Sequence, residues 1–173
     1  MEGPNWHNWL NTIANPICNN VDLFQTASAI YQLQENGFSI EDISKNTDRS
    51  LQHLFQIKTL NEATSLTRSL VDKQYISARV LMLLASVHSA RKTEIVILNL
   101  LYSAYHLQQP CCFDFITRHL PNLRLDKRRI TEAQRKLLTG YIATDNRLDF
   151  YGYIGKLFFN HSSRQEQASP SVV

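Results

Sequence analysis

Gln52 and Gln56 stand four residues apart in the stretch "RSLQHLFQIKT", with Leu51 and Phe55 spaced the same way beside them. On a helix, residues four apart share a face. Glutamine bonds the major-groove edge of adenine bidentately, and an apolar side chain packs on the methyl group of thymine. Arg49, His53 and Lys58 flank this set with groups suited to phosphate oxygens, and Ser50 and Thr59 complete it. The pattern is that of a helix able to read double-stranded DNA. A plain solvated helix face would show the same residue types, so periodicity leaves both readings open.

Other chemistries find less support. His106, Cys111, Cys112 and His119 are close in sequence, yet their spacing fits no zinc template, and adjacent cysteines ligate one tetrahedral ion poorly. Small thiols packed in a core are the simpler reading, and no metal is expected. No phosphate-cradling glycine loop, nucleophile elbow or H-E-x-x-H occurs, and no paired carboxylates stand out. Neither an enzyme nor a cofactor is expected. The run "RHLPNLRLDKRR" carries Arg124, Lys127, Arg128 and Arg129. It reads either as a solvated loop or as a second set of phosphate contacts.

The elements that must position these residues are helices. The chain has 173 residues, 43% of them hydrophobic, with five glycines and five prolines as punctuation. Sparse breakers and long 3.6-residue periodicity predict an all-α, multi-helix bundle. A first helix is expected from Trp6 to Ala14. A second should run from Leu23 to Glu35, capped by Asp22 and ended by Asn36-Gly37, with Phe24, Ala27, Ile30 and Leu33 inward. Further helices are expected at 61–74, 77–87, 92–108 and around "CCFDFITRHL". Two more follow at "TEAQRKLLTGYI", capped by Thr131, and "DFYGYIGKLFF", where Gly152 and Gly155 weaken the pattern. No apolar run reaches the ~18 residues of a membrane span. "MEGPNWHNWL" lacks the basic start of a secretory signal. Three cysteines without a CxxC suit free thiols in a reducing cytoplasm.

Between them lie two short helices. Ser39 caps one, with Glu41 and Asp42 in its first turn, and Ser50 caps another from Leu51 to Leu60. Ile40, Ile43 and Ser44 face inward on the first, Leu54 and Ile57 on the second, and "NTDR" joins them. This is the helix-turn-helix pattern. Asp48 occupies the turn where glycine is usual; aspartate tolerates left-handed backbone better than most residues.

Residues 19–90 resemble the central DNA-binding domain of the ParB and KorB family. "LQENG" ends an opening helix, "SIEDISK" matches S-x-E-x-I-A-K, Arg49-Ser50 matches the cap of the recognition helix, and "SLTRSLVDKQYISARVLMLL" follows in family order. The resemblance implies that Ser50 to Thr59 read bases while the helices after Tyr75 brace them. It does not extend to the family's N-terminal nucleotide-binding domain, for which the residues before Asn19 are too few, so no nucleotide requirement is expected.

The division expected is an N-terminal arm (1–18), the DNA-binding domain (19–90), a C-terminal helical region (91–160) and a disordered tail (161–173). The function expected is sequence-specific binding of double-stranded DNA by a homodimer, closed by residues after Thr131, as a regulator or partition-type centromere binder of a plasmid, phage or other mobile element. The rival is an all-α interaction adaptor in which the helix pair is scaffold.

Overall fold

The computed structural model describes residues 5–15, 20–123 and 129–159, and among them every regular element is helical. Ten α-helices follow one another: α1 (Trp6–Ala14), α2 (Asn20–Glu35), α3 (Ile40–Thr47), α4 (Leu51–Lys58), α5 (Ser65–Asp72), α6 (Ala78–Ala85), α7 (Ala90–His106), α8 (Phe113–His119), α9 (Glu132–Ala143) and α10 (Arg147–Phe158). The chain divides into two compact units, Met1–Thr93 and Glu94–Val173, so the division falls in the first turns of α7.

In the first unit α2 is the central helix, touching α1, α3, α4, α5 and α6. Its Ala27, Ile30 and Leu33 are fully buried, as the periodicity predicts. It starts at Asn20, two residues before the expected cap. The backbone of residue 22 is therefore already helical. Gly37, at φ 89°, ends α2 with a paired closure: its own N–H donates to the Gln34 carbonyl, and that of Phe38 to Leu33. The helix expected over Trp6–Ala14 forms with those bounds. Leu10 and Ile13 of α1 are buried, and α1 packs on both α2 and α3.

The helix expected over 61–74 is broken. After α4 the chain makes a 3-10 turn over Thr59–Glu62 and extends at Ala63, and α5 restarts where Thr64 accepts from the Thr67 N–H. The α5 face Leu66, Leu70 and Val71 then joins Leu81 and Leu84 of α6 in the core.

In the second unit, Val96 to Leu101 of α7 are all buried. Phe115 and Ile116 of α8, Leu138 and Ile142 of α9, and Phe150 and Ile154 of α10 supply the rest of its core. Thr131 caps α9 through a reciprocal box with Gln134, as expected. The rings of Tyr105 and Tyr151 stack at 4.1 Å, and those of Tyr102 and Phe159 at 4.3 Å, tying α10 to α7. Arg135 of α9 is buried: its Nε lies 2.8 Å from the Glu94 carboxylate and its Nη1 3.3 Å from Glu132.

Candidate nucleic-acid interface

The geometry of α3 and α4 is set by five small polar residues. The Ser39 hydroxyl accepts from the Asp42 N–H while the Asp42 carboxylate accepts from the Ser39 N–H. The Ser39 hydroxyl, which also donates to the Asp42 carboxylate at 2.6 Å, and then the Ser39 N–H hold the Asp42 carboxyl below its usual range. Asp48 closes α3 at φ 55°, ψ 26°, in the left-handed region. The Ser44 hydroxyl donates to the Arg49 carbonyl at 2.6 Å, clipping α3 to the segment after the turn. Ser50 then caps α4 by accepting from the His53 N–H. Ile43 and Leu54 have no exposed surface, and Ile57 and Thr47 are buried with them. Thr47 was not expected inside. Its hydroxyl donates to the Ile43 carbonyl one turn earlier, which satisfies it there.

With Leu54 and Ile57 turned inward, α4 presents Leu51, Gln52 and Phe55 to solvent, and Phe55 is 52% exposed. Gln56 and Lys58 are half-buried at the edge of that face. Thr59 lies beyond the end of α4, and its hydroxyl donates to the Gln56 carbonyl, closing the helix. The expected set thus separates into three residues on an open face and others beside it.

Arg49 has a structural task as well. Its Nε donates to the Ile13 carbonyl at 3.3 Å and its Nη2 to Ala14 at 3.1 Å, so it caps the C-terminal end of α1. That end carries unpaired carbonyls and the negative pole of the helix, which favour a guanidinium.

Arg79 was missed by sequence reasoning. It is exposed in the first turn of α6, and α6 packs against α4. His53 is pushed below the usual histidine range by burial, then by the charges of Arg49 and Arg79. Two cations thus lie near the N-terminal turn of α4. The wider charge pattern agrees. Residues 1–48 hold one lysine against six acids, and residues 49–93 hold seven Lys or Arg against two acids. Of those seven, Arg68 is turned inward, over the Phe24 ring and onto the carbonyls of Leu60 and Ala63. A count of charges along the chain would have flagged this polarity; the placement of Arg79 beside His53 needed the packing of α6 on α4.

Of the basic run, Arg129 is exposed, and Arg124, Lys127 and Arg128 lie outside the described residues, as does Cys18. Burial, followed by the neighbouring Cys112, pushes the Cys111 thiol up to about 12. Among the described residues no three His, Cys, Asp or Glu side chains gather as metal ligands. No described helix is long and apolar enough to cross a membrane.

The chain matches no protein-family model, no curated protein and no solved structure. The reading of this surface therefore rests on its own geometry and chemistry.

Proposed function

We propose that the protein binds double-stranded DNA in a sequence-specific manner, with α4 in the major groove. The observation that carries the reading is the α3–α4 pair. It has a three-residue turn through left-handed Asp48, a buried Ile43–Leu54–Ile57 seam, and Leu51, Gln52 and Phe55 left facing outward. Arg79 and Lys58 flank this face with charge for phosphates. A single helix pair covers one half-site, so useful affinity calls for two copies on a palindrome. The second unit offers Leu148, 74% exposed, with Tyr105 and Phe159 as apolar surface for that pairing. A regulator or partition-type protein of a mobile element is the role this combination suits.

The test is equilibrium binding of the full chain to a duplex selected from a random pool, beside an unselected duplex. Gln52→Ala should cost about 1–3 kcal/mol on the selected duplex and little on the other. Affinity should fall steeply with salt, as lysine and arginine contacts release counterions. An equal loss on both duplexes would mean that Gln52 does not specify sequence.

One observation favours a second reading. Phe55 and Leu51 form an exposed apolar pair one turn apart, the arrangement by which a helix anchors in a protein groove. An adaptor would bind its partner with weak salt dependence and would leave duplexes of every sequence unbound.

A further inference from the structure

The first turns of α4 present no arginine or lysine, the side chains that most often read guanine. The commonest guanine contact is an arginine or lysine placed bidentately on its O6 and N7. The N-terminal turns of a recognition helix make the base contacts. Here those turns present Ser50, Leu51, Gln52 and Phe55, all exposed and none cationic. Arg49, the nearest arginine in sequence, holds the Ile13 and Ala14 carbonyls at the end of α1. Lys58 stands at the far end of the helix and is half-buried. What does face outward suits the other base pair. The Gln52 amide matches the N6 and N7 of adenine, and Leu51 and Phe55, one turn apart, match the 5-methyl groups of neighbouring thymines.

The same face penalises the wrong pair. An apolar ring pressed on guanine O6 or cytosine N4 strips water from a polar edge and returns no hydrogen bond. Selectivity then comes from rejection as much as from attraction. Cations at the rim, Arg79 and Lys58, supply sequence-independent phosphate attraction and do not blur it.

We infer that α4 reads A·T base pairs, through thymine methyls at Phe55 and Leu51 and an adenine edge at Gln52, and that the core of each half-site is free of guanine contacts. The inference rests on the DNA-binding reading above.

Selection of bound duplexes from a random-sequence pool by the full chain, followed by replacement of single thymines with uracil, tests it. Selected duplexes should share A·T steps at the centre of each half-site. Uracil, which lacks only the methyl group, should weaken binding about fourfold at each contacted position, the worth of one buried carbon. Phe55→Ala should abolish the uracil effect at one of those positions. The ring is exposed, so the variant keeps its core. Half-sites centred on G·C pairs, or full indifference to uracil, would overturn the inference and leave DNA binding standing. A pool from which nothing is retained even at low salt would overturn both.

Discussion

The buried ion pair of the second unit offers a direct measurement of what holds that unit together. Glu94 has no exposed side-chain surface, and the side chain of Arg135 is 10% exposed. The Arg135 Nε donates to both Glu94 oxygens, at 3.0 and 2.8 Å, and Glu132, itself 67% exposed, takes the Nη1 at 3.3 Å. Removing one partner of such a pair strands the other charge out of reach of water, which costs about 3–5 kcal/mol. Arg135→Met should be the worse change, because it strands the carboxylate with no exposed surface. Glu94→Met leaves the guanidinium its contact with the exposed Glu132 and should lie at the lower end. At roughly 2–4 °C per kcal/mol for a chain of this length, either change lowers the melting midpoint by about 10 °C. The double variant Glu94→Met/Arg135→Leu replaces both charges by apolar groups of similar volume and should return to within about 1 kcal/mol of the native chain. Helical circular dichroism through thermal and urea transitions gives all three values. Single variants costing under about 1 kcal/mol, or a double variant as unstable as the worse single, would refute the claim that stranded charge is what the pair avoids.

Other predictions follow from the same kind of reasoning. Arg49→Ala should cost about 1–2 kcal/mol by uncapping α1, read by fluorescence from Trp6 and Trp9 on that helix; unchanged stability with lost duplex affinity would assign the guanidinium to DNA alone. Asp48→Gly should stabilise by about 0.5–1 kcal/mol in urea denaturation, since φ 55° suits glycine, whereas Asp48→Val should destabilise. The two glycines of α10 should respond with opposite sign. Gly152 faces open space, so Gly152→Ala should gain about 0.5–1 kcal/mol; a methyl on Gly155 would meet the hydroxyl of the stacked Tyr102 at 3.0 Å and its ring at 3.1 Å, so Gly155→Ala should lose stability. His53 and His88 are both held below the usual histidine value, chiefly by burial. The unfolded chain therefore takes up protons first as pH falls below about 6.5, and stability should decline from there toward the lower folded values. A phosphate near His53 would reverse that shift, so duplex affinity should rise over the same range, and His53→Gln should flatten the rise.

How far the fold was legible in the sequence depended on the range of the interaction that set each boundary. Starts set by a side chain three residues away were readable: Ser39, Ser50 and Thr131 cap as expected. Ends were harder: Gly37 closes α2 as expected, but other helices close without glycine. Gln74, Gln108 and Asp145 adopt positive φ after α5, α7 and α9, and in each the following N–H reaches back to a carbonyl five residues earlier. The expected helices therefore ended two residues late, at Gln74 and Gln108, since glutamine is a good helix former and signals no earlier stop. The break at Ala63 was equally hidden: Thr64 and Thr67 look like ordinary helix residues until the 3-10 turn before them makes Thr64 a cap.

The candidate interface was legible in its local half only. Burial of Ile43, Leu54 and Ile57, the left-handed turn at Asp48 and the outward Leu51, Gln52 and Phe55 all follow from residues within a few turns of one another, where periodicity is a direct measure of direction. Each contact between sequence-distant residues escaped. Arg49 reaches α1 across 36 residues, Arg135 reaches Glu94 across 41, and Arg79 arrives beside His53 only through the packing of α6 on α4. A guanidinium is long enough to serve a helix end, a buried acid or a phosphate, and its sequence neighbourhood does not say which. That is why the roles of the arginines were the least legible. Arg49 became a helix cap and Arg135 entered a core ion pair, while Arg79 took the position beside the reading helix. The apolar and amide side chains of α4 have no such reach, so their direction, fixed by helical phase, fixes the bases they can meet.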